Sequence, residues 1–198
     1  MSLLEQLQTK RSALKATQIT VTTATGKRFV ETNTSTSTPI LLEERSYGFV
    51  VDTKPDTIPA CILPGFLYLG SQDAVNSENI TAYNLTHILS VGIETPPIVG
   101  KQVEIQFLPC LDLPETKILE NIVPQANAFI NKAKLAHGRV LVHCNAGVSR
   151  AASVVIGYLM LERDMLFEAA YALVKSQREC IQPNAGFIEQ LKNLKIAD

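Results

Sequence analysis

Val142-His143-Cys144-Asn145-Ala146-Gly147-Val148-Ser149-Arg150-Ala151 stands between two apolar runs of different length. Before it, Val140-Leu141-Val142 is short and apolar, which predicts a buried strand. After it, Ala152-Ser153-Val154-Val155-Ile156-Gly157-Tyr158-Leu159-Met160-Leu161 is long enough and apolar enough to predict a core helix. A strand, a tight loop and a helix in succession place the loop on a helix N-terminus. There the backbone N–H groups from Asn145 to Arg150 can converge on one point and bind a dianion. Gly147 supplies the backbone freedom that such a curl needs.

The loop carries its own chemistry. The field that attracts a phosphate also favours the ionised sulfur of Cys144, and Arg150 offers a planar fork that grips two phosphate oxygens at once. His143 precedes the cysteine at a strand end, where neighbours point to opposite sides, so its expected work is to hydrogen-bond backbone and fix the loop. Ser149 adds a hydroxyl within the loop. A sulfur that attacks phosphorus needs a proton donor for the departing oxygen and later a base for water. Asp112, in Leu111-Asp112-Leu113-Pro114-Glu115-Thr116 after the strand-like Val103–Leu108, fits that role. Glu115 competes for it, but Asp112 lies nearer the strand end and is better anchored. A lone cysteine in an apolar chain is ordinarily core filler, and a loop Asp a turn former or cap. Cys144 six positions before Arg150, around Gly147, in a strand-loop-helix context, points instead to catalysis.

The same residues resemble the signature of the cysteine-dependent dual-specificity protein phosphatases, of the atypical kind: His-Cys, five residues, Arg, then Ser or Thr. The likeness extends over roughly residues 60 to 195. Ile62–Ser71 resembles the family's opening strand pair, Thr86–Val91 its next strand and Ile181–Leu191 its closing helix. The resemblance implies an α/β fold with a central, mostly parallel sheet flanked by helices. It implies Cys144 as nucleophile, Arg150 as phosphoryl binder and Asp112 as general acid and then base. It also implies a substrate-binding loop of His143, Asn145, Ala146, Gly147, Val148 and Ser149, with Asn184 stiffening it from the side; an N-cap for the last helix is an equally good reading of Asn184. One departure stands out. Where the family has a hydroxyl directly after the arginine this chain has Ala151, which implies slower breakdown of the covalent intermediate. By the same resemblance the substrates are phosphorylated proteins, including kinases of stress-activated cascades.

Asn145-Ala146-Gly147-Val148-Ser149 carries no charge, which favours a protein phosphomonoester over a multiply charged phosphoinositide or RNA end. A binding module for phosphorylated kinases is the rival from another class, suggested by the first sixty residues and Ala151. No cofactor or metal is expected. The formal net charge of −1 gives no general attraction to nucleic acid or an anionic membrane. Cys61, Cys110, Cys144 and Cys180 show neither metal-ligand nor disulfide spacing, and burial is the expectation for the three outside the loop. A reducing, cytoplasmic setting follows. No signal peptide, membrane span or myristoylation site is recognised.

Residues 1–60 read as an N-terminal extension and 61–198 as the catalytic domain. Ser2 to about Ala16 predicts a short helix with a Ser2/Glu5 capping box. Ile19, Val21 and Thr23 alternate toward Phe29 and Val30 across Thr25-Gly26-Lys27, which predicts a hairpin, and Thr32–Thr38 reads as a flexible connection. Further on, Val123–Leu135 predicts a helix with Pro124 in its first turn. Asp164 is expected to cap a helix through Ser176, buried by Leu166, Ala169, Ala170, Leu173 and Val174, and Asn184 to open the last helix.

Overall fold

The structure is a computed structural model that describes residues 18–22, 28–32, 40–43, 56–98 and 102–194. The chain divides into two compact units, Met1–Ser46 and Tyr47–Asp198. In the first, β1 (Gln18–Thr22), β2 (Arg28–Thr32) and β3 (Ile40–Glu43) form an antiparallel sheet in that order, with Val21 opposite Phe29. β3 was not anticipated, because a four-residue apolar run has no period to read. The expected helix over residues 2–16, the turn at Thr25-Gly26-Lys27 and the connection after Thr32 lie outside the described residues.

The second unit is built on a five-stranded sheet. β4 (Ala60–Leu63) and β5 (Leu67–Gly70) form an antiparallel pair. β5 then runs parallel to β8 (Val140–His143), β8 to β6 (His87–Val91) and β6 to β7 (Glu104–Leu108), in the order β4-β5-β8-β6-β7. β5, β6 and β8 are buried along their whole length, as parallel strands covered on both faces must be. Register explains which side chain faces which layer. Leu69, Val142 and Leu89 align across three strands and enter the larger core. Tyr68, Leu141 and Ile88, one residue earlier, point the other way into a smaller one.

Helices cover both faces. A short α1 (Ser77–Ala82), capped by Asn76, sends Ile80 into the smaller core. On the opposite face lie α2 (Ile118–Asn121), α3 (Val123–Leu135), α4 (Arg150–Glu162), α5 (Phe167–Gln177) and α6 (Ala185–Lys192). Every residue of α4 from Ala151 to Met160 is buried, which accounts for a helix apolar all round. α3 starts at Val123 with Pro124 in its first turn, where a missing N–H costs nothing. The chain leaves β5 toward the face of α1 and leaves β8 toward the face of α4. Between such strands a crevice opens at their carboxyl ends.

Three expectations about this unit need correction. Asp164 does not cap α5: its φ is +50°, and Met165 N–H bonds Leu159 O at 3.4 Å, so it terminates α4 in a left-handed C′ position. Ala170 and Val174 face the core as expected and Phe167 joins them, but Ala169 is exposed and Leu166 stays 70 % exposed. Leu166 is the N-cap in extended backbone, so the helical period starts only after it. Cys180 is exposed rather than buried, because it lies in the turn between α5 and α6.

The placement of Asp164 has a direct test. Asp164→Gly relieves the left-handed strain and is expected to raise stability by about 0.5–1 kcal/mol in urea unfolding; loss of an N-cap would lower it instead.

Candidate active site

The carboxyl end of β8 delivers Cys144 and the loop through Ser149 into the crevice. What shapes this loop is the satisfaction of its carbonyls from behind. Cys144 O accepts from His143 Nδ1 at 3.3 Å, and Asn145 O from Gln72 N at 2.9 Å. Arg178 serves two neighbours, donating from Nη2 to Ala146 O at 2.9 Å and from Nε to Gly147 O at 3.0 Å. Val148 O accepts from Gln182 N at 2.8 Å, and Ser149 O from Ser153 N at 2.9 Å. With the carbonyls taken up from outside the loop, the N–H groups from Asn145 to Arg150 meet no acceptor among the described residues and are left to serve an anion. Gly147 has φ +64°, and a Cβ there would lie 2.4 Å from Gly70 O, so the position tolerates no side chain.

Cys144 sits at the bottom of this cradle, 2 % exposed. His143 is fully buried, and burial pushes its imidazole down to about 4, so the ring is neutral at physiological pH. A carbonyl can only accept, so Nδ1 carries the proton toward Cys144 O, and Nε2 accepts from Ser90 Oγ at 2.7 Å. Thr95 Oγ1 in turn bonds Ser90 Oγ. The histidine therefore anchors the loop to β6.

Arg150, in the first turn of α4, donates from Nη1 to Gly92 O at 2.9 Å. Gly92 has φ +71°, and a Cβ there would meet Nη1 at 2.4 Å. Nε lies 3.6 Å from Asp112 Oδ2 without a hydrogen bond of its own, which leaves it available to an incoming oxyanion.

Asp112 reaches the same point from the other side. Its Oδ1 accepts from Ser149 Oγ and from Asn184 Nδ2, each at 2.7 Å. Asn184 Oδ1 also caps α6 by accepting from Phe187 N at 3.0 Å, so the side chain is the expected N-cap and holds Asp112, while only its backbone N–H reaches the loop, at Ser149 Oγ. α6 holds the rest of the segment as well. Gln190 Oε1 accepts from Ile118 N at 2.9 Å and its Nε2 donates to Thr116 O at 2.9 Å, and Pro114 packs onto Gly186. Glu115, the competing carboxylate, is exposed, and Asp112 is the one brought to the loop. Ala146, Val148 and Ser149 are buried and Asn145 is exposed. Ala151 is fully buried and offers no hydroxyl. Burial pushes the nearby Cys110 thiol up to about 11. Among the described residues no His/Cys/Asp/Glu cluster could hold a metal ion.

Arg178, Gln190 and Ser90 were not foreseen. Arg178 sits in Ser176-Gln177-Arg178-Glu179, which reads as solvated surface, yet it is 7 % exposed and pairs with Asp56. Gln72 and Gln182 act through backbone N–H groups, so their residue type carries no signal.

A cradle of inward amides, a thiol at its base, a guanidinium on one wall and a carboxylate on the other can bind a tetrahedral oxyanion and attack it at its centre. The family described as "Dual specificity phosphatase, catalytic domain" matches residues 67–196. Mouse dual specificity protein phosphatase 19 is 41 % identical over 181 residues, 89 % of this chain and 81 % of the mouse protein. The crystal structure of the human tyrosine phosphatase-like serine/threonine/tyrosine-interacting protein superposes with a TM-score of 0.62 at 33 % identity, covering 68 % of this chain and 93 % of the other. A mouse putative dual specificity phosphatase complexed with zinc tungstate gives 0.63 at 29 % identity, with 72 % and 89 % covered.

Two outcomes follow from the geometry. His143 takes a proton in the unfolded chain near pH 6.5 but in the native state only near 4. The unfolded state thus binds more protons between those values, and stability falls as pH falls through that window. Urea unfolding of wild type is expected to lose about 2 kcal/mol more than His143→Asn between pH 7 and pH 5. Arg178→Lys keeps a charge for Asp56 but cannot span two carbonyls, and kcat is expected to drop about tenfold in steady-state assays.

Proposed function

The chain belongs to the dual specificity phosphatase family, and from that premise we propose that Cys144 is its nucleophile, Arg150 its phosphoryl clamp and Asp112 its acid and then base. It is a protein phosphatase acting on phosphotyrosine and on phosphoserine or phosphothreonine. The observation that carries the assignment of residues is the convergence of Asp112 and Arg150 on the loop that follows Cys144, a loop whose carbonyls are all taken up by donors outside it.

In the first step the Cys144 thiolate attacks phosphorus, the bond from phosphorus to the substrate oxygen breaks, and Asp112 gives its proton to that oxygen. The charge building on the equatorial oxygens is met by the inward amides and by Arg150, donors already in place before reaction. In the second step Asp112 takes a proton from water, the water oxygen attacks phosphorus, and the phosphorus–sulfur bond breaks to release phosphate and the thiolate. With Ala151 in the first turn of α4, the leaving sulfur receives no hydroxyl from that position, so the second step is slower than a hydroxyl there would make it. Asn145, Ala146, Gly147, Val148 and Ser149 frame the substrate phosphate; His143, expected among them, is fully buried against Ser90 and holds the loop from behind instead, and Asn184 positions Asp112.

The uncharged loop supports a single phosphomonoester on a protein over a phosphoinositide or RNA end. Kinases of stress-activated cascades are the substrates to which the family likeness points, in a reducing cytoplasm where Cys144 stays a thiol or thiolate. No helix among the described residues is long and apolar enough to cross a membrane.

With p-nitrophenyl phosphate as substrate, wild type is expected to turn over, Cys144→Ser to be inactive, and Asp112→Ala to lose on the order of 10²–10⁴ in kcat. Undiminished turnover by Cys144→Ser would refute the assignment.

A further inference from the structure

Ile105, Phe107, Leu111 and Leu113 are 46 %, 44 %, 68 % and 42 % exposed, within nine consecutive residues. The other exposed large apolar residues, such as Leu135, Leu161 and Leu166, are scattered singly. Two features tie this strip to the catalytic crevice. β7 is the edge strand of the five-stranded sheet, and it runs toward the end where Cys144 lies. Phe107 stands in register with Ser90, and Ser90 with His143, so it ends the row that anchors the nucleophile's neighbour. Beyond β7, Leu111 and Leu113 flank Asp112, whose own side chain is only 14 % exposed. The carboxylate turns into the loop while the leucines stay on its rim.

An exposed edge strand is a template for pairing, and proteins usually blunt it with unpaired charge, proline or a cover. The one charged residue of β7, Glu104, is occupied by Lys132 Nζ at 2.6 Å. Among the described residues, Glu94, Glu115 and Glu179 are exposed acidic groups on the segments around the cradle, and the exposed Lys117 beyond Glu115 is paired with Glu120. A substrate segment rich in acidic groups would meet repulsion there, whereas apolar side chains would find a matching surface.

We propose that this strip is a docking surface for the phosphoprotein substrate itself: an extended segment with apolar side chains beside its phosphorylated residue lies along the β7 edge and against Leu111 and Leu113. Main-chain pairing gives affinity, and alternate side chains give selectivity. The proposal rests on the phosphatase reading above and adds a sequence preference to it.

The test uses the full chain, p-nitrophenyl phosphate and two phosphotyrosine peptides that differ only in flanks, one with alternating Val and Leu and one with Glu and Ser. Wild type is expected to prefer the apolar peptide by about tenfold or more in kcat/KM. Phe107→Thr and Leu111→Ser should each shrink that ratio to about threefold or less, through KM, with p-nitrophenyl phosphate turnover unchanged. Equal use of both peptides by wild type, or a ratio that survives both variants, overturns the proposal. So does a dimer that Phe107→Thr dissociates without touching the ratio, which assigns the face to a second copy. Absence of p-nitrophenyl phosphate turnover in wild type refutes the enzyme reading beneath it, while turnover without flank preference refutes the docking surface alone.

Discussion

A loop can present its amides to an anion only if its carbonyls are satisfied elsewhere, because a buried carbonyl without a donor costs about 1–3 kcal/mol. From Cys144 to Ser149 each carbonyl accepts from behind: a histidine ring, two backbone amides, two arms of Arg178 and the first turn of α4. The donors come from β8, the turn after β5, the segment around α5 and α6, and α4. The phosphate cradle is therefore a product of the whole second unit, not of the ten-residue signature. Packing that locates α5 locates Arg178, and Arg178 sets the curl that aims the amides.

Asp112, the proposed acid, is governed by the same logic at one remove. α6 is short, yet Asn184, Gly186 and Gln190 along it hold Asp112, Pro114, Thr116 and Ile118 by side-chain bonds and close contact. Ser149 links this arrangement to the cradle, since its hydroxyl donates to Asp112 and accepts from Asn184 N at 3.1 Å. Cys144 and Asp112, the proposed nucleophile and acid, are thus fixed relative to each other before substrate arrives, which is where positioned catalysis draws its advantage. Arg150 Nε, buried without a hydrogen bond 3.6 Å from Asp112 Oδ2, ties the proposed phosphoryl clamp to the same arrangement.

How much of this was legible depended on range. The strand and helix on either side of the loop followed from run length and composition, and the structure places them at Val140–His143 and Arg150–Glu162. Asp112 was separable from Glu115 by its nearness to a strand end, and the structure brings Asp112 to Ser149. Arg178 lies 31 residues from Gly147, Gln190 lies 72 from Ile118 and Ser90 lies 53 from His143, and nothing local distinguishes them from surface polar residues. Asp164 was misplaced because aspartate suits both an N-cap and a left-handed terminus, and only φ separates the two. Leu166 was misread because apolar character shows a face but not the residue at which the helical period begins.

The central claim, that the inward amides form one anion site, is tested most directly by amide NMR of the full chain titrated with tungstate. The account predicts that the N–H resonances of residues 145–150 shift together with a single dissociation constant. Tungstate binding that leaves those resonances in place, or moves them independently of one another, would contradict it.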